Sequence, residues 1–234
     1  MGVSRRRVLG AVAAAGSLAA AGLLVWETPP GVPGDRRELV VLVHGLGRTP
    51  LSMWLLGRRL ERGGYRVGHF GYVSVRGRVA GIGAGLAEWV ARVRGDAPRV
   101  HYVGHSLGCI VVRWVLSHAR PPRTGRVVML APPNRGAAAA DRWESGLGWS
   151  IPYLGELVTG EGSTARSLRL PAGVDVGVIA GARDGKVRIA ETHLEGERDH
   201  AVVPAFHTFI MNRGDVHRLV RGFLAAGHFG EVAA

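Results

Sequence analysis

The chain predicts an α/β fold: a mostly parallel sheet of about six strands, with helices on both faces. Three observations carry that reading. Short Val-rich apolar runs recur with no polar alternation, as strands buried on both faces require. Stretches with helical apolar spacing separate them. One run ends in Gly104-His105-Ser106-Leu107-Gly108 and leads directly into a second apolar stretch, so a serine stands at the apex of a strand, a sharp turn and a helix.

The elements follow in order. Residues 39–43, Leu-Val-Val-Leu-Val, form the first strand and end in the turn His44-Gly45-Leu46-Gly47. Residues 51–61 carry Leu51, Trp54, Leu55 and Leu60 at helical spacing, and Gly63-Gly64 stops that helix. Residues 65–73 read as a weaker second strand and 81–93 as a helix despite its glycines. Residues 99–103 are the strand before the serine, and 109–118 the helix after it, ended by Pro121-Pro122. Residues 127–130 are a short buried strand closed by Pro132-Pro133, and 174–180 another. Residues 202–203 are a brief last strand, and 216–226 the last helix. Strands alternating with helices are the pattern of a parallel sheet covered on both faces. In such sheets ligands bind beyond the carboxyl ends of the strands. The turn at 44–47, Ser106 and the loop after Ala180 all fall at such ends.

Residues 134–172 form a long insertion between two strands, rich in Trp, Leu and Tyr. It reads either as a cover over an acyl pocket or as an ordinary helix-containing crossover. The folded domain spans 37–234, and its 234-residue chain length suits one domain with a sizeable core. Residues 27–36 contain Pro29, Pro30 and Pro33 and read as a linker.

The N-terminus reads as an export signal or a membrane anchor over residues 1–26. Ser4-Arg5-Arg6-Arg7 precedes an uncharged run over 8–26, and the paired arginines resemble the twin-arginine export signal of bacteria. Ala19-Ala20-Ala21 offers a cleavage site. If uncut, the run is just long enough to span a bilayer. The expected location is therefore across the bacterial inner membrane: periplasmic, secreted, or membrane-associated through residues 8–26.

Composition narrows the partners. The formal net charge is +12, with Lys186 the only lysine among 30 basic residues. The arginines are scattered with no basic block interleaved with aromatics beyond residue 40, so no nucleic-acid partner is expected. The single cysteine, Cys109, excludes an internal disulfide and reads as a buried packing residue. No metal-ligand spacing and no phosphate loop is present, so no cofactor is expected. A monomer is expected.

A serine hydroxyl needs a base, an acid to orient it and an oxyanion site. Of the late histidines, His207 follows a strand and precedes the last helix, whereas His200 precedes that strand. His207 is favoured. Asp184 lies just past the strand at 174–180 and is favoured over Asp199, and over Asp175 at the strand's start. Ser106 is the nucleophile, and the Leu107 N–H at the helix start is one oxyanion donor. His44 reads as structural, holding the turn after the first strand.

The order Ser106, Asp184, His207 matches that of the α/β-hydrolases. The chain resembles that superfamily, and within it the small bacterial lipases and esterases, over residues 37–227. Val43-His44-Gly45-Leu46-Gly47, the Gly104–Gly108 pentapeptide and Leu130-Ala131-Pro132-Pro133-Asn134-Arg135-Gly136 carry the resemblance, with Asp184-Gly185-Lys186-Val187 and His207-Thr208-Phe209. It implies the Leu46 N–H as second oxyanion donor. It implies hydrolysis of a small-molecule or lipid acyl ester through an acyl-enzyme on Ser106. The same triad serves thioesterases, amidases and acyltransferases, and a silent hydrolase fold acting as a membrane-associated binding protein is the alternative outside enzymes.

Overall fold

The computed structural model describes residues 38–230 apart from 120, 148, 149 and 152. Residues 1–36, read from the sequence as an export signal or membrane anchor followed by a linker, lie outside the described residues. Six strands form one sheet: β1 (Leu39–Val43), β2 (Arg66–Phe70), β3 (Val100–His105), β4 (Thr124–Leu130), β5 (Val176–Gly181) and β6 (Asp199–Val203). Their spatial order is β2-β1-β3-β4-β5-β6, and every neighbouring pair is parallel.

Alternating residues of the same strand serve two cores, because successive side chains point to opposite faces. Val41, Val43, Tyr102, Val127 and Val178 face α2 (Val79–Val93) and α3 (Leu107–His118). Val40, Leu42, Val103, Val128 and Ile179 face α1 (Trp54–Arg62) and α8 (Gly214–Ala226). Between β4 and β5 run α4 (Ala138–Leu147), α5 (Tyr153–Glu156) and α6 (Thr164–Ser167). Between β5 and β6 lies α7 (Ile189–Thr192). No described helix is long and apolar enough to cross a membrane.

The edge strands are polar enough to blur their limits. β6 begins at Asp199 and pairs in register from Gly177↔Asp199 to Gly181↔Val203. His200 is therefore inside β6 near its amino end rather than ahead of it. The apolar face read over 51–61 also shifts. Leu51 and Trp54 are exposed, while Met53, Leu56 and Leu60 are buried. Pro50–Met53 is a tighter 3-10 turn, which rotates the face before α1 begins.

The glycines of α2 have an identifiable use. A Cβ at Gly83 would overlap the Trp114 ring of α3, so the glycine lets the two helices close. Gly81 faces open space. Gly81→Ala should therefore gain about 0.5–1 kcal/mol from helix propensity, whereas Gly83→Ala should lose about 1–3 kcal/mol by overpacking. Urea unfolding of the two variants measures both signs.

Besides His207, four imidazoles are buried among the described residues: His44, His101, His105 and His217. Burial lowers the pKa of all four, that of His44 to about 4 and that of His105 well below the usual histidine range. The folded state holds them neutral, while the unfolded chain takes up their protons near pH 6.5. Their contribution to stability is thus complete above about pH 6.5 and is lost as pH falls through their lowered values, which for His44 is about 4. The urea midpoint should fall across that window. His217→Gln, which keeps a donor for the Met211 carbonyl but cannot charge, should flatten the slope.

Candidate active site

The strand order reverses direction between β1 and β3, since β2 lies on one side of β1 and β3 to β6 on the other. The loops leaving these two strands diverge there and open a crevice. Leu46 is on the loop after β1, and Ser106 follows β3 directly.

Ser106 has φ 53° and ψ −121°, a conformation that side chains other than glycine rarely adopt. Such a residue costs on the order of 1–3 kcal/mol and persists only where its surroundings impose it. Here the surroundings are two close approaches. A Cβ at Gly104 would stand 2.8 Å from the Cα and N of Cys109. One at Gly108 would overlap the carbonyl oxygen of Val43. The glycines thus let α3 start hard against the ends of β1 and β3. The Ser106 N–H donates to the Leu130 carbonyl at 2.9 Å, and the Cys109 N–H to the Ser106 carbonyl at 2.9 Å. Cys109 is buried, which pushes its thiol well above the usual range, so it packs rather than reacts.

The residues picked from the sequence meet at the crevice. His207 Nε2 lies 3.0 Å from Ser106 Oγ, and His207 Nδ1 lies 2.7 Å from Asp184 Oδ2. The Asp184 side chain is fully buried, and its other oxygen accepts the N–H groups of Lys186 at 2.8 Å and Val187 at 2.9 Å. With Asp184 taking the Nδ1–H, Nε2 turns a lone pair to the serine hydroxyl, which donates to it. The backbone N–H groups of Leu46 and Leu107 have no hydrogen-bond acceptor among the described residues.

The competing residues are employed elsewhere. Asp199 accepts from the N–H groups of His200 and Phe229. Asp175 pairs with Arg126 and Arg198. His44 stacks on Tyr72 with ring centres 4.2 Å apart, and the Tyr72 hydroxyl donates to the His44 carbonyl at 2.6 Å. That pair sets the first residue of the loop carrying Leu46.

Three contributors escaped the sequence reading. His105 donates from Nε2 to the His207 carbonyl at 3.0 Å, and its Nδ1 is buried without a partner. It holds the backbone of the histidine that faces its own neighbour, Ser106. Its only sequence signal was its place inside the pentapeptide. Arg113, seven residues after Ser106 on α3, is buried. It donates to the carbonyls of Asn134 (3.3 Å), Ala165 (2.7 Å) and Leu168, fastening the 134–172 segment to the core. Burial lowers its pKa to about 10. Glu156 fastens the same segment to α2, accepting the Val79 N–H at 2.7 Å and pairing with Arg78 at 3.1 Å.

A cavity of about 300 Å³ opens onto Ser106 and His207. Ala137, Ala140, Trp143, Leu154 and Leu157 of the 134–172 segment make its apolar wall. The segment therefore has core contacts of its own and also faces the serine. Away from this site, His193, Glu197 and His200 bring ligand atoms within 4.8 Å of one another. Each already has a protein partner: His193 and Glu197 bond each other at 2.7 Å, and His200 meets the Thr192 hydroxyl at 3.0 Å.

No protein-family model matches the chain, and no curated protein matches it in sequence. Solved structures do match in shape. The mature lipase BlEst2 of Bacillus licheniformis superposes with a TM-score of 0.66 at 16% identity, covering 88% of this chain and 98% of that one. A carboxylesterase structure from the thaumarchaeon Nitrososphaera gargenis gives 0.65 at 15%, over 90% and 97%. A putative thioesterase from Silicibacter gives 0.58 at 19%, over 80% and 73%. With its six parallel strands and the surrounding helices, this chain has the α/β-hydrolase fold.

Proposed function

We propose that the protein is a serine hydrolase that cleaves carboxylic esters through an acyl-enzyme on Ser106. The observation that supports it is the unbroken chain from Asp184 through His207 to Ser106, at 2.7 and 3.0 Å. His207 takes the proton of the Ser106 hydroxyl as its oxygen attacks the ester carbonyl. The tetrahedral intermediate's oxyanion is received by the N–H groups of Leu46 and Leu107, each worth about 3 kcal/mol of barrier. His207 then protonates the departing alcohol. Water, deprotonated by the same imidazole, frees the acid. Asp184 keeps the imidazole in the tautomer that leaves Nε2 basic, and stabilises the imidazolium. The likeness to a putative thioesterase favours one second reading, a thioester of the same acyl group. We also propose that residues 1–26 direct export, leaving the domain periplasmic, secreted or anchored.

A fluorophosphonate probe should label the wild-type protein and not Ser106→Ala. Labelling that persists in Ser106→Ala would remove Ser106 as the nucleophile. Asp184→Asn should keep the fold and lose about 10⁴ in kcat through the wrong tautomer.

The size of the chamber sets the acyl group. A cavity of about 300 Å³ is at the small end for ligand sites. Across para-nitrophenyl esters from acetate to palmitate, kcat/KM should peak at short to medium chains. A maximum at palmitate would mean that the apolar wall opens. A butyryl thioester compared with the matched butyryl ester separates the two readings.

A further inference from the structure

The rim of the catalytic cavity is electrically one-sided. Its lining contains Arg48 and Lys186 and no aspartate or glutamate. Asp184 stands behind His207, fully buried, with both oxygens taken. Arg48 is on the loop after β1. Its Nη2 donates to the Thr208 carbonyl at 2.6 Å, and its guanidinium lies 5.2 Å from the centre of the Phe209 ring. Lys186, two residues after Asp184, holds its ammonium 5.8 Å from the Trp143 ring centre. Neither cation has a carboxylate partner among the described residues. Both charges are felt inside the site, since both help to keep the buried His105 neutral, after burial itself and the nearby His207.

The two sides of the scissile bond meet different chemistry. The apolar wall from Ala137 to Leu157 suits an uncharged acyl chain. The alcohol must leave toward His207, which protonates it. Arg48 is bonded to the carbonyl of Thr208, which directly follows His207, so its charge stands beside the histidine that receives the alcohol, while the Lys186 ammonium closes the rim over Trp143 of the apolar wall. A cleft with cations on a low-dielectric wall concentrates anions.

Resting on the ester-hydrolase reading, we propose that Arg48, with Lys186 adding its charge at the rim, forms a subsite for an anionic group on the alcohol side of the substrate. The natural substrates are then esters pairing a short, uncharged acyl chain with an alcohol that bears a phosphate or carboxylate. Such an anion occurs in a glycerolipid headgroup and in small soluble metabolites, and the chemistry of recognition is the same for both.

The test compares paired esters on the full chain. One pair is para-nitrophenyl butyrate and the same ester with a carboxylate on the ring. The other is dihexanoylglycerol and dihexanoylphosphatidic acid. Within each pair, the ratio of kcat/KM for the anionic over the neutral ester cancels losses common to both. The wild-type ratio should exceed that of the double variant Arg48→Gln/Lys186→Met by about tenfold, with the difference in KM, as expected for binding that is equal in ground and transition states. Lys186→Arg should retain the wild-type ratio, and added salt should shrink it. A preference in the soluble pair alone assigns a soluble substrate, and one in the lipid pair a headgroup. Equal ratios in wild type and double variant overturn the subsite. Absence of hydrolysis of all four esters, together with absence of fluorophosphonate labelling, overturns instead the ester reading beneath it.

Discussion

The strained backbone at Ser106 is the constraint on which the rest of the site depends. A residue at φ 53° relaxes unless its neighbours forbid it. Here the prohibition comes from packing. Gly104 and Gly108 let α3 press against the ends of β1 and β3, and the Ser106 N–H is claimed by the Leu130 carbonyl of β4. Three neighbouring strands thus determine where one hydroxyl points. The same geometry leaves the Leu107 N–H at the head of α3 without an acceptor among the described residues, beside the serine it follows. The aim of the Ser106 hydroxyl and the exposure of the Leu107 N–H beside it are two results of one helix–sheet contact.

A second layer of order comes from imidazoles that burial keeps neutral. His105 uses its Nε2–H to hold the His207 carbonyl, and His44 stacks on Tyr72 at the root of the Leu46 loop. A charged ring in either place would need a partner for its second N–H, and among the described residues none is at hand for His105 Nδ1 or His44 Nε2. Dryness therefore does more than stabilise the core. It restricts these rings to donors of a single hydrogen bond, each aimed at the backbone of a loop that carries the site.

The segment over the cavity is held by buried charge. Arg113 on α3 gathers carbonyls from three places along the segment, and Glu156 answers with the first N–H of α2 and with Arg78. Buried charges are costly unless their hydrogen bonds are satisfied, so these anchors specify one position for the segment. Its apolar wall then faces Ser106, leaving Arg48 and Lys186 at the rim without a carboxylate partner among the described residues.

Much of the fold was legible from the sequence because it rests on local rules. Strands buried on both faces must be continuously apolar, so β1, β3, β4 and β5 were readable. Edge strands need not be, so β6 was seen only at Val202 and Val203 although it begins at Asp199. The helix face over 51–61 was misphased because a 3-10 turn keeps a different period. Ser106, Asp184 and His207 could be selected by their places after particular strands, since a parallel sheet brings its carboxyl ends together whatever the intervening chain does. His105, Arg113, Glu156 and Arg48 could not. Their roles consist of hydrogen bonds to backbone groups 21 to 160 residues away, and a carbonyl leaves no mark on the identity of the residue that owns it. The sequence by itself determined the sheet, its order of chemistry and the three side chains at its edge. Only the tertiary structure decided how they are aimed and what encloses them, because aim depends on contacts between elements that no local pattern encodes.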